Sequence, residues 1–233
     1  MTELSVLLTT AVSLAFVHTL VGVDHYIPFI VLSQANGWSA KKTMLVVFIC
    51  GIGHVLSSIL LGFAGIAMSA GVSGLVDIES IRGELATYFL IAFGFVYTIY
   101  GIRRAVKNKT HRHITPDGHT IIHAHLEHGS EHEHGKNKKS TNVFWALFIL
   151  FVLGPCEPLI PILMYPAATH NTFALVSVTV SFGICTIATM LVAVFMGLKG
   201  IRLFKFEKVE RYSHMLAGSA ILTCGLAVLL LPI

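Results

Sequence analysis

The stretch FVHTLVGVDHYIP, residues 16–28, is an apolar run interrupted by polar, metal-capable groups where a chain in lipid should be purely oily. A second stretch, FVLGPCEPLIP at residues 151–161, is interrupted in the same way. An ionisable side chain at the centre of a bilayer costs roughly 2.5–3.5 kcal/mol on insertion scales, so Asp24, His25 and Glu157 each require a partner, an ion or a water-filled cavity. The two interrupted segments are therefore the expected functional centre.

Working outward, the surrounding chain is oily enough to be an all-α integral membrane protein. It is 55% hydrophobic and 12% charged, with a mean hydropathy of +0.77. Crossing a hydrocarbon core of ~30 Å takes about 20 apolar residues per helix. Six stretches qualify: residues 5–33, 43–70, 84–102, 143–167, 172–198 and 214–231. No Lys or Arg precedes the first stretch and no small-residue cleavage site ends it, so it is expected to stay in the protein.

Charge sets the expected orientation. Of 16 Lys and Arg residues, only Arg82 falls outside the segments that a six-helix path puts on one side: 41–42, 103–139 and 199–211. The positive-inside rule makes that side cytoplasmic, with both termini, the 71–83 loop and the His170 loop outside. The net charge of +4 thus reflects topology and lipid contact, and nothing points to nucleic acid. The expected location is the cell (inner or cytoplasmic) membrane.

The polar segment 103–142 divides the chain into a three-helix half at 1–102 and another at 143–233. An odd number of crossings per half inverts the second relative to the first. Gly22-Val23-Asp24-His25 before Pro28 is echoed by Gly154-Pro155-Cys156-Glu157 before Pro161, each in the first, broken helix of its half. Transporters with such inverted repeats bind substrate near the midplane, where broken helices free backbone groups.

The chemistry at these breaks suits a metal ion. His18 and His25 are two helical turns apart and share a face, and Asp24 can ligate or orient an imidazole. His54, in the next apolar stretch, can reach the same centre. A His/Asp set suits divalent Ni, Co, Zn, Fe or Mn, and Cys156 shifts the preference toward softer ions. Glu157 is a ligand or a proton-coupling carboxylate, and Cys156 a ligand or a redox thiol. Cys50, Cys185 and Cys224 read as small hydrophobes, and four scattered cysteines make no disulfide framework. Gly51, Gly53, Gly62, Gly65, Gly183 and Gly218 read as close-packing points between helices.

The 103–142 segment carries His111, His113, His119, His123, His125, His128, His132 and His134, a tract that commonly binds metal. Pro116-Asp117-Gly118 is a turn signal between two His-x-His runs. Pairing Thr115 with His119 sets His111 opposite His123 and puts the five odd-numbered histidines on one face.

His18-x5-Asp24-His25 resembles the His, Asp-His signature of nickel/cobalt transporters and their urease-accessory-like relatives. Gly53-His54 resembles the Gly-His of that family's next helix. The family spacing is one residue shorter and its helix count usually eight. The resemblance implies His18, Asp24, His25 and His54 as metal ligands, and a His-rich loop on the cytosolic side occurs in related exporters. Gly154-Pro155-Cys156 with its following prolines is similar to the Pro-Cys motif of membrane domains that pass reducing equivalents by thiol–disulfide exchange. Such conduits use a cysteine pair, and here Asp24 and His25 stand in the place of the first cysteine. Sulfite or organic-anion exporters of similar helix count are a third likeness.

The expectation is a secondary transporter for a divalent transition-metal ion (Ni, Co, Zn or Fe), with a site of His18, Asp24, His25, His54, Cys156 and Glu157. No phosphate loop with its Lys is present, and neither an enzymatic activity nor an organic cofactor is expected. The partners expected are the metal ion, the bilayer and a second copy of the chain. A thiol–disulfide electron conduit, or an anion exporter, is the alternative.

Overall fold

The computed structural model describes residues 3–67, 72–107, 111–114, 120–123, 134–156, 158–203 and 210–230. Helix α1 (Glu3–Val21) ends where Gly22 leaves the helical backbone, and one 3₁₀ turn (Val23–His25) leads into α2 (Ile27–Ala35). Pro28 sits in the first turn of α2, where a missing N–H costs nothing. Then follow α3 (Ala40–Ala67) and α4 (Val72–Lys107). After the polar segment, α5 (His134–Leu153) stops at Gly154, α6 (Leu159–Ala168) continues beyond the break, and α7 (Thr172–Leu203) and α8 (Ser213–Leu230) complete the order.

Among the described residues, 5 helices are long and apolar enough to cross a membrane: α1, α3, α4, α7 and α8. The apolar part of α5 and the whole of α6 are shorter, at Thr141–Leu153 and Leu159–Ala168. Large apolar side chains cover the outside of the bundle; Ile81, Val96, Ile184 and Met196 are each at least 64% exposed. Water would not tolerate so much contiguous apolar surface, and a bilayer accounts for it. The protein is a multi-pass membrane protein whose apolar bundle is all α-helical.

The third apolar stretch extends well beyond its expected start at residue 84. Helix α4 begins at Val72, so most of the expected external 71–83 loop is helix. Its charges explain why hydropathy misplaced the boundary: Glu79 and Arg82 lie one turn apart and pair with each other.

In the polar segment, β1 (His111–Ile114) and β2 (Thr120–His123) form an antiparallel hairpin with His111 opposite His123 and Ile114 opposite Thr120. This is the register expected from the Pro-Asp-Gly turn. His119, His125, His128 and His132 lie outside the described residues, and His134 opens α5, inside the expected loop.

The helices pack in a crossed pattern. Helix α1 lies on α7 while α5 lies on α3; α2 meets α8 while α6 meets α4; α3 faces α7 and α4 faces α8. The α4–α8 contact is the tightest, with backbone against backbone. A Cβ added to Gly94 would meet the main chain of Leu222, one on Gly101 that of Met215, and one on Gly218 that of Thr98. Gly218 was legible as a packing point, and Gly94 and Gly101 join it in one seam of small residues. Gly51, Gly53, Gly62, Gly65 and Gly183 face side chains.

The interior falls into two apolar clusters. One holds Phe29, Leu32, Val47, Leu147, Phe151 and Met190; the other holds Ala11, Ala15, Cys156, Leu159 and Phe182. Val23 and Tyr26 of the first break pack on the former cluster, and Cys156 and Leu159 of the second break belong to the latter.

Candidate metal centre between two broken helices

The first break folds back on itself. Gly22 N–H still donates to His18 O at 2.9 Å, and His25 N–H reaches Gly22 O at 3.0 Å, closing the tight turn. The turn swings the buried His25 ring over Gly22, where a Cβ would lie 2.5 Å from Nδ1. Only glycine leaves room for it. His25 Nδ1 sits 3.1 Å from both Gly22 O and Asp24 Oδ1. Both neighbours are acceptors, so Nδ1 carries the proton and, in the neutral ring, Nε2 presents a bare lone pair.

His54 of α3 is set the same way, by an acceptor from the other half. Its Nδ1 donates to Phe151 O across 3.1 Å, leaving Nε2 unprotonated in the neutral ring. The His18 and His25 rings are 5.0 Å apart between centroids, and His25 and His54 are 5.1 Å apart, both edge-on. Among the described residues, five buried side-chain N or O atoms have no hydrogen-bond partner, and three of them are Nε2 of His18, His25 and His54. Buried polar atoms are rarely left unpaired, so three orphaned imidazole nitrogens in one place call for a ligand.

Cys156 completes the group from the second break. Ligand atoms of His18, His54 and Cys156 all lie within 4.8 Å of one another. Cys156 is fully buried and its thiol is free. The structure therefore brings together His18, His25, His54 and Cys156, and gives Asp24 the part of orienting His25. Glu157 lies outside the described residues.

At the second break the carbonyls of Phe151, Val152 and Gly154 find partners outside the helical ladder. Pro155 has no N–H for Phe151 O, Pro158 has none for Gly154 O, and the Cys156 N–H points away from Val152 O. His54 takes Phe151 O, which Gly154 N–H shares. Arg82 Nη2 takes both Val152 O at 3.0 Å and Gly154 O at 3.3 Å. Cys156 N–H goes instead to Glu79 Oε1 at 3.4 Å. Arg82 also pairs with Glu79 Oε2 and donates to Ser57 Oγ at 2.9 Å. From the sequence alone Arg82 is only the one cation on the outer side, and Glu79 has no part. The available signal was the acid–base pair at i,i+3 just ahead of an apolar run.

A cavity of about 530 Å³ reaches this centre, lined by His18, Asp24, His25 and His54 on one side, by Ser80, Glu84 and Thr87 of α4 on another, and by Ala227–Leu229 of α8. Glu84 is exposed. The other cysteines stand elsewhere: Cys50 and Cys224 are buried, and Cys185 donates its S–H to Val12 O at 3.4 Å. A second polar group joins α2, α4 and α8 at their far ends, where Tyr97 OH lies 2.8 Å from His214 Nδ1 and accepts from Asn36 at 3.1 Å.

No curated protein and no solved structure matches the chain. The likeness of the first half to nickel/cobalt transporters has no counterpart among the families matched. The likeness of the second half to membrane domains that pass reducing equivalents does: residues 27–229 match the model of the cytochrome c biogenesis protein transmembrane region. That span runs from α2 to α8 and includes His54 and Cys156, and it begins just after His18, Asp24 and His25. The chain belongs to the cytochrome c biogenesis protein transmembrane region family.

Proposed function

We propose that the chain is a secondary transporter that passes a divalent transition-metal ion through the centre between its two breaks. One observation carries this reading: the buried, unpartnered Nε2 atoms of His18, His25 and His54 beside the Cys156 thiol. Imidazole and thiolate together suit Zn, Ni or Co better than Mg or Ca, which prefer oxygen ligands. The ion is the substrate, and Asp24, which lines the cavity, supplies negative charge to an arriving cation.

The transport fold we propose is a six-crossing inverted repeat, with α1–α2 and α5–α6 as the broken first helices. The crossed packing supports it: exchanging the halves turns α1-on-α7 into α5-on-α3, and α2-on-α8 into α6-on-α4. The charge count supports a cytoplasmic His-rich segment and both termini outside.

The family match supports a second reading better than it supports metal passage: transfer of reducing equivalents through Cys156. That reaction needs a second thiol to close a disulfide with Cys156. Cys50, Cys185 and Cys224 are the candidates in this chain, all free in the structure.

Flux of Ni, Co, Zn, Fe and Mn into proteoliposomes separates the two. The transporter reading expects flux of at least one ion that disappears in Asp24→Asn and His54→Ala and persists in a triple Cys50, Cys185, Cys224→Ala variant. Absence of flux for every ion, together with a Cys156 mixed disulfide that passes electrons across the bilayer, overturns it in favour of the conduit.

A further inference from the structure

Cys156 sits between Pro155 and the start of α6 at Leu159, where its carbonyl accepts from Leu159 N–H at 2.9 Å but its own N–H has left the helical ladder for Glu79. Its place is set by α4. Glu79, with a side chain 1% exposed, receives the Cys156 N–H and anchors Arg82. Arg82 then spreads one planar guanidinium over Ser57 of α3 and over Val152 O and Gly154 O of the break. Ser57 is one turn beyond His54 and hydrogen-bonds to His54 O at 2.8 Å, so the same guanidinium references the thiol segment to the helix that carries an imidazole of the centre. A lysine could not do this, because its ammonium is a point charge without the rigid fork.

We infer that Arg82, anchored by Glu79, is the positioning residue that presents the Cys156 thiol to His18 and His54, and so decides whether the centre takes a thiolate-preferring ion such as Zn or Cd or only ions satisfied by imidazole. The selectivity half of this rests on the metal reading above; the positioning half does not. Support shells of this kind set ligand geometry, and their loss typically costs about 10–100-fold in metal affinity.

The test uses the full chain in detergent with Cys50, Cys185 and Cys224 replaced by Ala. Without metal, alkylation of Cys156 by a maleimide is expected to be about tenfold faster or more in Arg82→Gln than in the parent, a factor equivalent to about 1.4 kcal/mol of lost hold. With Co(II) as probe, the parent is expected to show the near-ultraviolet thiolate-to-cobalt band. Arg82→Gln is expected to lose that band and bind Co(II) about 10–100-fold more weakly. Arg82→Lys should not rescue it. Adding Cys156→Ser to Arg82→Gln should cost nothing further, because a residue acting through another is not additive with it. If Arg82→Gln fails to fold, the neutral pair Glu79→Gln with Arg82→Gln removes the uncompensated charge and takes its place.

A folded Arg82 variant with unchanged alkylation and an intact thiolate band overturns the inference. So do losses from Arg82→Gln and Cys156→Ser that simply add. A parent chain that binds no Co(II) while its Arg82 variant is alkylated faster retires the metal reading and keeps the clamp, now holding a redox thiol.

Discussion

The two breaks look alike in sequence and are held by opposite means. At the first, residues 22–25 satisfy one another: Gly22 O accepts from His25 N–H, and Asp24 and Gly22 share the His25 ring nitrogen. At the second, Pro155 and Pro158 remove donors, and the freed carbonyls of Phe151, Val152 and Gly154 are met from other helices, by His54 and Arg82. A break that keeps its N–H groups can be self-supporting. One that discards them has to borrow donors across the bundle.

That contrast can be broken in stages. The largest effect is expected at the borrowed support: Arg82→Gln strands Glu79 in the interior and should cost ~3–5 kcal/mol, read as a lower thermal unfolding temperature in detergent. Next comes Gly22→Ala, whose Cβ collides with the His25 ring. Overpacking of this kind costs ~1–3 kcal/mol, and Co(II) binding should fall with it. Asp24→Asn removes a charge from the self-supporting break yet keeps an acceptor for His25; a hydrogen-bond change of this size is worth ~1 kcal/mol or less, so stability should barely move while metal flux is lost. Smallest of all, deleting residues 111–134 should leave Co(II) affinity at the centre within about twofold, since surface changes usually fall within ±0.5 kcal/mol. Equal losses from Arg82→Gln and Gly22→Ala would erase the contrast.

Much of this was readable in advance where the signal is local. Gly22 to Pro28 and Gly154 to Pro161 mark the breaks because Gly and Pro disrupt helices wherever they stand. His54 could be drawn toward His25 because it stands in the next apolar stretch, within reach of the same centre. The hairpin register followed from one turn, since Pro116-Asp117-Gly118 fixes which residues face each other. Glu79 and Arg82 escaped because their partners, Cys156 and Val152, are at least 70 residues away. Their charge also made α4 look shorter than it is, since hydropathy scores a neutralised ion pair as if it were free in water. The use of Arg82 as a carbonyl cap was invisible for the same reason: nothing near it in sequence lacks a donor.

The seam of glycines between α4 and α8 has a mechanical consequence. Where main chain rests on main chain at Gly94, Gly101 and Gly218, no side chain is available to act as a bearing. A side chain added at any of the three would force the two helices apart. The seam thus ties a helix from one half of the chain to a helix from the other by shape alone, and Arg82 holds the second break to the same α4.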